Sequence, residues 1–150
     1  MNKIIRVLLT LVVLLVQATN RSEAAESEAA EAVLQKAAMF ALGGIGVAGT
    51  MSPGERALRE VLANRDAVAR MERLLTNATP AGRLYALLGL RLKDRALYDR
   101  AIRELRAVDA KVETARGCII SQESFGDLLK EIERGQYDTF LDRKWPDGAR

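Results

Sequence analysis

AGRLYALLGLRL, residues 81 to 92, is the stretch on which the fold turns. Only Arg83 and Arg91 in it carry charge, and apolar or small residues take nearly every other angle of a helical wheel. A helix that is apolar all round has to be enclosed by other elements. Gly82, Ala86 and Gly89 share one face, where a second helix backbone can come close, while Leu84, Leu87 and Leu88 fill the opposite side. The prediction is a central helix with the rest of the domain built around it. Thr79 as N-cap and Pro80 at the first helical position mark its start. Asn77-Ala78-Thr79 also spells a glycosylation acceptor, but Pro80 directly behind it disfavours modification, so the cap reading stands.

Upstream, TMSPGE (residues 50 to 55) sets out a helix start, with Ser52 as N-cap, Pro53 at the first position and Glu55 completing a capping box. Leu58, Val61 and Leu62 form the buried stripe. Asn64-Arg65-Asp66 interrupts, with Asn64 able to end one helix and Asp66 able to cap the next, and Val68, Met71, Leu74 and Leu75 continue the pattern. Two short helices are favoured over one bent helix. Before them, SEAAEAVLQKAAMFAL from Ser27 reads as a further helix that stops at Gly43, with Val33, Leu34, Ala37, Phe40 and Ala41 on its packed face.

Downstream, Asp94 caps a helix that buries Leu97, Tyr98, Ala101, Ile102, Leu105 and Val108. Its other face is solvated, with Asp99–Arg103 and Arg100–Glu104 as the expected ion pairs. After Val108, β-branched residues around Gly117 predict one short strand or a small hairpin near residues 111–121. Ser121 or Ser124 then starts a helix with Phe125, Leu128, Leu129 and Ile132 buried, stopped by Gly135. In the tail, Tyr137, Phe140, Leu141 and Trp145 either clamp the chain end onto the domain or form an exposed patch, and packing is the favoured reading. The expected fold is mainly α: a single helical domain, residues 25–150, of short helical hairpins resembling the HEAT type, with that small β element and a loosely packed C-terminal tail.

The N-terminus has the layout of a secretory signal peptide. Lys3 and Arg6 precede an apolar run, Val7 to Val16, interrupted only by Thr10, and small residues follow. Cleavage fits after Ala18 or after Ala24. The first lies at the better distance from the apolar run. The second is preferred because it leaves AESEAAEAV as an unstructured start. The run is shorter than the roughly 20 residues that span a bilayer, so the membrane is met only during export. The expected location is the periplasm or the exterior, as a secreted protein. The whole chain of 150 residues has a formal net charge of +3. Removing Lys3, Arg6, Arg21 and Glu23 leaves 20 basic against 19 acidic side chains, so a nucleic-acid partner has little support.

Absences narrow the chemistry. The chain has no His, which excludes imidazole as base, acid or ligand. No His and one Cys leave only scattered carboxylates for a metal. The single Cys118 permits no internal disulfide. Between Gly117 and two isoleucines it reads first as a small buried hydrophobe, then as a disulfide to a second chain in a homodimer, and last as a reactive thiol. In GGIGVAG (residues 43 to 49), Gly44, Gly46 and Gly49 satisfy G-x-G-x-x-G without the strand before it or the helix after it, so no nucleotide is expected. The expected role of the stretch is a corner whose small residues pack beneath Phe40 and Leu58, with Gly46 and Gly49 at positive φ or in close backbone contact.

FALGGIGVAGTMSPGERALR (residues 40 to 59), TPAGRLYALLGLRLKD and GCII together resemble a family of small exported bacterial proteins to which no activity is assigned, one of them associated with a microcin gene cluster. The resemblance implies a bacterial origin and suggests a competition or immunity-type factor or inhibitor as an alternative function. Its motifs are apolar and carry over no catalytic or binding residue. Without that resemblance, the residues point to an exported protein–protein interaction module with no cofactor and no catalytic residue. Trp145, Tyr137, Arg83 and Arg91 are its candidate contacts, being of the residue types enriched at binding hot spots. An enzyme is the weaker alternative, because it would have to rely on carboxylate pairs, Ser–Lys or Cys118.

Overall fold

The computed structural model describes residues 24–142, and the signal-peptide reading and Trp145 lie outside them. The described chain forms one mainly helical domain with a small three-stranded sheet. Residues 24–35 are helical (α1). Then come β1 (Met39–Phe40), α2 (Pro53–Ala63), α3 (Ala67–Asn77), α4 (Pro80–Lys93) and α5 (Arg95–Leu105). The chain continues through β2 (Lys111–Arg116), β3 (Ile119–Ser124), α6 (Phe125–Glu133) and the short α7 (Asp138–Leu141).

α4 is the central helix that its sequence predicts. Every residue from Ala81 to Leu90 except Arg83 is buried. α2, α3, α5, α6, β1 and β2 pack on it. In a hairpin array of the HEAT type each repeat touches only its neighbours. Contacts that radiate from one helix give such an array no support. The small face of α4 meets two partners: Gly82 lies under the Leu34 carbonyl at the end of α1, and Gly89 lies under Met71 of α3.

Four helix starts are capped by side chains as their sequences imply. The Ser52, Thr79, Asp94 and Ser124 side chains accept the N–H of Glu55, Gly82, Leu97 and Asp127 at 3.0, 3.1, 3.0 and 3.1 Å. Asp66 stands at the start of α3 but makes no such bond, because its carboxylate pairs with Arg70 at 2.9 Å. The ion pairs expected within α5 are likewise replaced: Asp99 pairs with Arg95, and Arg100 reaches across to Glu72 of α3. α3 and α5 both flank α4, which puts Glu72 within that reach.

The first helix departs most from expectation. The helix predicted from Ser27 is present but already begins at residue 24, so it takes in the start expected to be unstructured after cleavage, with Ser27 and Ala30 buried. The helix ends at residue 35, well before Gly43, and Met39–Phe40 is strand, not the close of a helix. Tertiary partners take over the backbone there. Thr79 donates its N–H to the Gln35 carbonyl at 3.0 Å and its hydroxyl to the Ala37 carbonyl at 2.7 Å. Ala41 donates its N–H to the Tyr85 hydroxyl at 2.8 Å, and its carbonyl accepts from Ser52 Oγ at 2.7 Å. Met39 and Phe40 pair in parallel with Glu113 and Thr114.

β2 and β3 form the small hairpin, antiparallel from Lys111↔Ser124 to Arg116↔Ile119. It closes on a two-residue Gly117-Cys118 loop with φ +58° at Gly117 and no positive φ at Cys118, the pattern of a type II′ turn. β3 is an edge strand in the order β1-β2-β3.

Candidate interaction surface

GGIGVAG leaves β1 and doubles back as a second, smaller hairpin. Ile45 and Thr50 exchange N–H···O bonds at 2.8 and 3.0 Å, and Gly49 N–H donates to the Gly46 carbonyl at 3.1 Å. Gly46 and Gly49 sit at φ +71° and +59°, as expected of them. The expected packing beneath Phe40 and Leu58 does not occur: residues 46–50 are exposed, and the turn projects outward. A turn this tight leaves Val47 no neighbour, and its side chain is 98% exposed.

The two hairpins touch at their tips. Gly46 N–H donates to the Gly117 carbonyl at 2.8 Å, and Ile45 bridges Gly117 in parallel. The β2–β3 turn therefore stands beside Val47. Cys118 at its apex is exposed, not the buried hydrophobe its neighbours suggest, because a two-residue turn at the edge of the sheet has nothing above it. Ile119 and Ile120 follow, 70% and 65% exposed, on opposite faces of β3. The result is a pair of uncharged tips carrying Val47, Cys118, Ile119 and Ile120, next to the free edge of β3. No charged side chain occurs in residues 43–54 or 117–122.

Behind the tips lies a groove of about 330 Å³, lined among others by Phe40, Leu42, Ala115, Tyr137 and Phe140. Tyr137 packs edge-on to Phe40, with ring centroids 5.0 Å apart. Its hydroxyl donates to Glu131. Burial, and then that carboxylate, push the Tyr137 hydroxyl well above its usual pKa. Arg116 joins the same cluster, reaching Glu131 at 2.8 Å and Glu123 at 3.3 Å, while Thr114 Oγ1 donates to Glu123 at 2.7 Å.

Of the sequence candidates, Arg83, Arg91 and Tyr137 are engaged within the fold. Arg91 forks onto Asp138 at 3.0 and 3.1 Å and lies over the Tyr98 ring. Arg83 donates to the Ala78 and Thr76 carbonyls at the end of α3. Tyr137 is buried, as described above. The fourth candidate, Trp145, lies outside the described residues. Val47, Ile119 and Ile120 were not legible as surface residues. β-branched residues in short runs read as buried strand, and only their tertiary position exposes them.

Several N–H groups of the glycine stretch are already bonded: Gly43 to the Glu55 carboxylate at 2.9 Å, Gly46 to Gly117 and Gly49 to Gly46. Among the described residues, no group of three or more Cys, Asp or Glu is placed to hold a metal ion, and no helix is long and apolar enough to cross a membrane. Compared with family models, curated proteins and solved structures, the chain matches none.

Proposed function

We propose that this chain is an exported protein–protein interaction module that meets its partner with the two adjoining hairpin tips. The observation that carries the reading is the exposure of Val47, Ile119 and Ile120, the three most exposed large aliphatics among the described residues, on neighbouring turns. Isolated exposed aliphatics need no explanation, but these three gather on two turns joined through Gly46 and Gly117, which supports a contact site there. Each such side chain is worth about 1.5–3 kcal/mol when fully buried by a partner. The open edge of β3 adds main-chain donors and acceptors that an extended partner segment can satisfy. Nucleotide binding is set aside because an anion at Gly43 would face the Glu55 carboxylate that already takes its N–H. Export rests on the layout of the first 24 residues. In an oxidising compartment the exposed Cys118 could join two such surfaces.

The test is in-cell crosslinking from a photoreactive residue at position 47, repeated in an Ile119→Ser/Ile120→Ser variant. Both isoleucines are exposed, so the melting temperature should hold. The reading expects a discrete crosslinked partner in the parent protein and at least a tenfold loss in the variant, about 1.4 kcal/mol of binding. Equal yields from both proteins would remove the tips from the contact.

A further inference from the structure

α7 is tied down at both ends by arginines from other helices. At its start, Arg91 of α4 forks onto Asp138 at 3.0 and 3.1 Å. At its end, Arg59 of α2 donates to the Phe140 carbonyl at 2.6 Å and the Leu141 carbonyl at 3.1 Å. Between the two, the Phe140 ring lies so close over Gly43 that a Cβ there would be 2.4 Å from the ring. Arg59 is itself aimed by the wholly buried carboxylate of Glu55, through bonds of 3.0 and 2.8 Å to Oε1. The other oxygen of that carboxylate, Oε2, accepts the Gly43 N–H at 2.9 Å. One buried acid therefore holds both the entry to the glycine hairpin and the arginine that clamps the end of α7.

We infer that α7 is a strap whose grip on the fold controls the mobility of the glycine hairpin, through Phe140 on Gly43 and the Arg59–Glu55–Gly43 chain. When the strap lifts, Gly43 loses its ring cover and Arg59 loses two carbonyl acceptors, so the guanidinium that bonds the carboxylate anchoring Gly43 is held less firmly. The same movement removes Phe140 from the wall of the groove behind the tips. The strap and the hairpin bearing Val47 thus open together, and coupling of this kind acts in both directions.

Amide hydrogen exchange of the full chain, read by mass spectrometry, tests the inference. Asp138→Asn weakens the Arg91 clamp at a partly exposed site, on α7 and away from residues 43–50, and the melting temperature confirms that the fold is kept. Exchange should rise roughly two- to fivefold in residues 136–141 and in residues 43–50 together, the scale expected when one partly exposed ion pair is lost. In the opposite direction, Gly49→Ala strains the hairpin at a φ of +59° with open space around it, and should speed exchange in residues 136–141 as well. A rise confined to the mutated segment in either variant, or no rise in Asp138→Asn, overturns the coupling.

Discussion

Two glycines show how differently a single residue can matter. A Cβ on Gly82 would lie 2.2 Å from the Leu34 carbonyl oxygen, so α1 and α4 could not keep their approach. Gly46 has open space around it but a φ of +71°, which a β-branched residue adopts only under strain. Gly82→Ala should therefore cost roughly 1–3 kcal/mol through overpacking against a backbone atom that cannot step aside. Gly46→Val should cost about 1–2 kcal/mol through backbone strain alone, with no lost core contact. Thermal unfolding checks both, and an unchanged midpoint in either variant would contradict the geometry assigned to it. The positive φ at Gly46 and the close approach at Gly82 were both legible, one from a glycine-rich turn and the other from small residues at i, i+4 and i+7. The exposure of Cys118 was not, since its neighbours in sequence are those of a buried residue.

Among the elements, helix starts were legible because a cap is a local event, settled within four residues. Ser52 shows the limit of that rule. Its hydroxyl accepts the Glu55 N–H at 3.0 Å and donates to the Ala41 carbonyl at 2.7 Å, so it also ties the start of α2 to the end of β1. Ser52→Ala removes both bonds at a buried site and should cost roughly 2–3 kcal/mol, more than the ~1 kcal/mol of an ordinary cap. Denaturant unfolding would test this, and a loss no larger than that of an exposed cap would deny the second bond its part. Asp66 fails as a cap for a reason beyond local sequence: Arg70 competes for its carboxylate. MFAL (residues 39 to 42) reads as helix on propensity, yet becomes strand and loop because Thr79, Tyr85 and Ser52 claim the backbone on either side. Helix propensities differ by a few tenths of a kcal/mol per residue, less than one satisfied buried hydrogen bond.

For the whole molecule, α1 is joined to α3 by Glu31, which Arg70 meets at 2.7 Å and Arg73 at 2.8 Å. The Arg73 bond first, and then Arg70, hold the Glu31 carboxyl below its ordinary value of 4.5 against the opposing effect of burial. Arg70 does the same for Asp66. A depressed folded pKa contributes stability that is complete above the unfolded value and is lost as pH falls through the folded one. Glu31→Gln should therefore lower stability by roughly 1–3 kcal/mol at neutral pH. The gap from the parent should close as pH drops below about 4.5, because protonation removes from the parent what the variant already lacks. Denaturant midpoints of both proteins across that range would measure it, and a gap independent of pH would place the stabilisation outside the charge.

The sequence by itself determined the buried central helix, α5 and α6 after it with their caps, the site of the β element and the exclusion of imidazole chemistry. Each of these depends on composition or on residues within one or two turns of each other. Tertiary structure alone decided where α1 ends, that Met39–Phe40 joins a sheet beside β2, which arginine meets which carboxylate, and that Val47, Cys118, Ile119 and Ile120 face outward. Most of those outcomes depend on groups distant in sequence competing for the same backbone and charge, as Tyr85 does for Ala41 and Arg59 for Phe140. Local patterns rank what a segment prefers; long-range partners, with larger energies, decide which preference is kept.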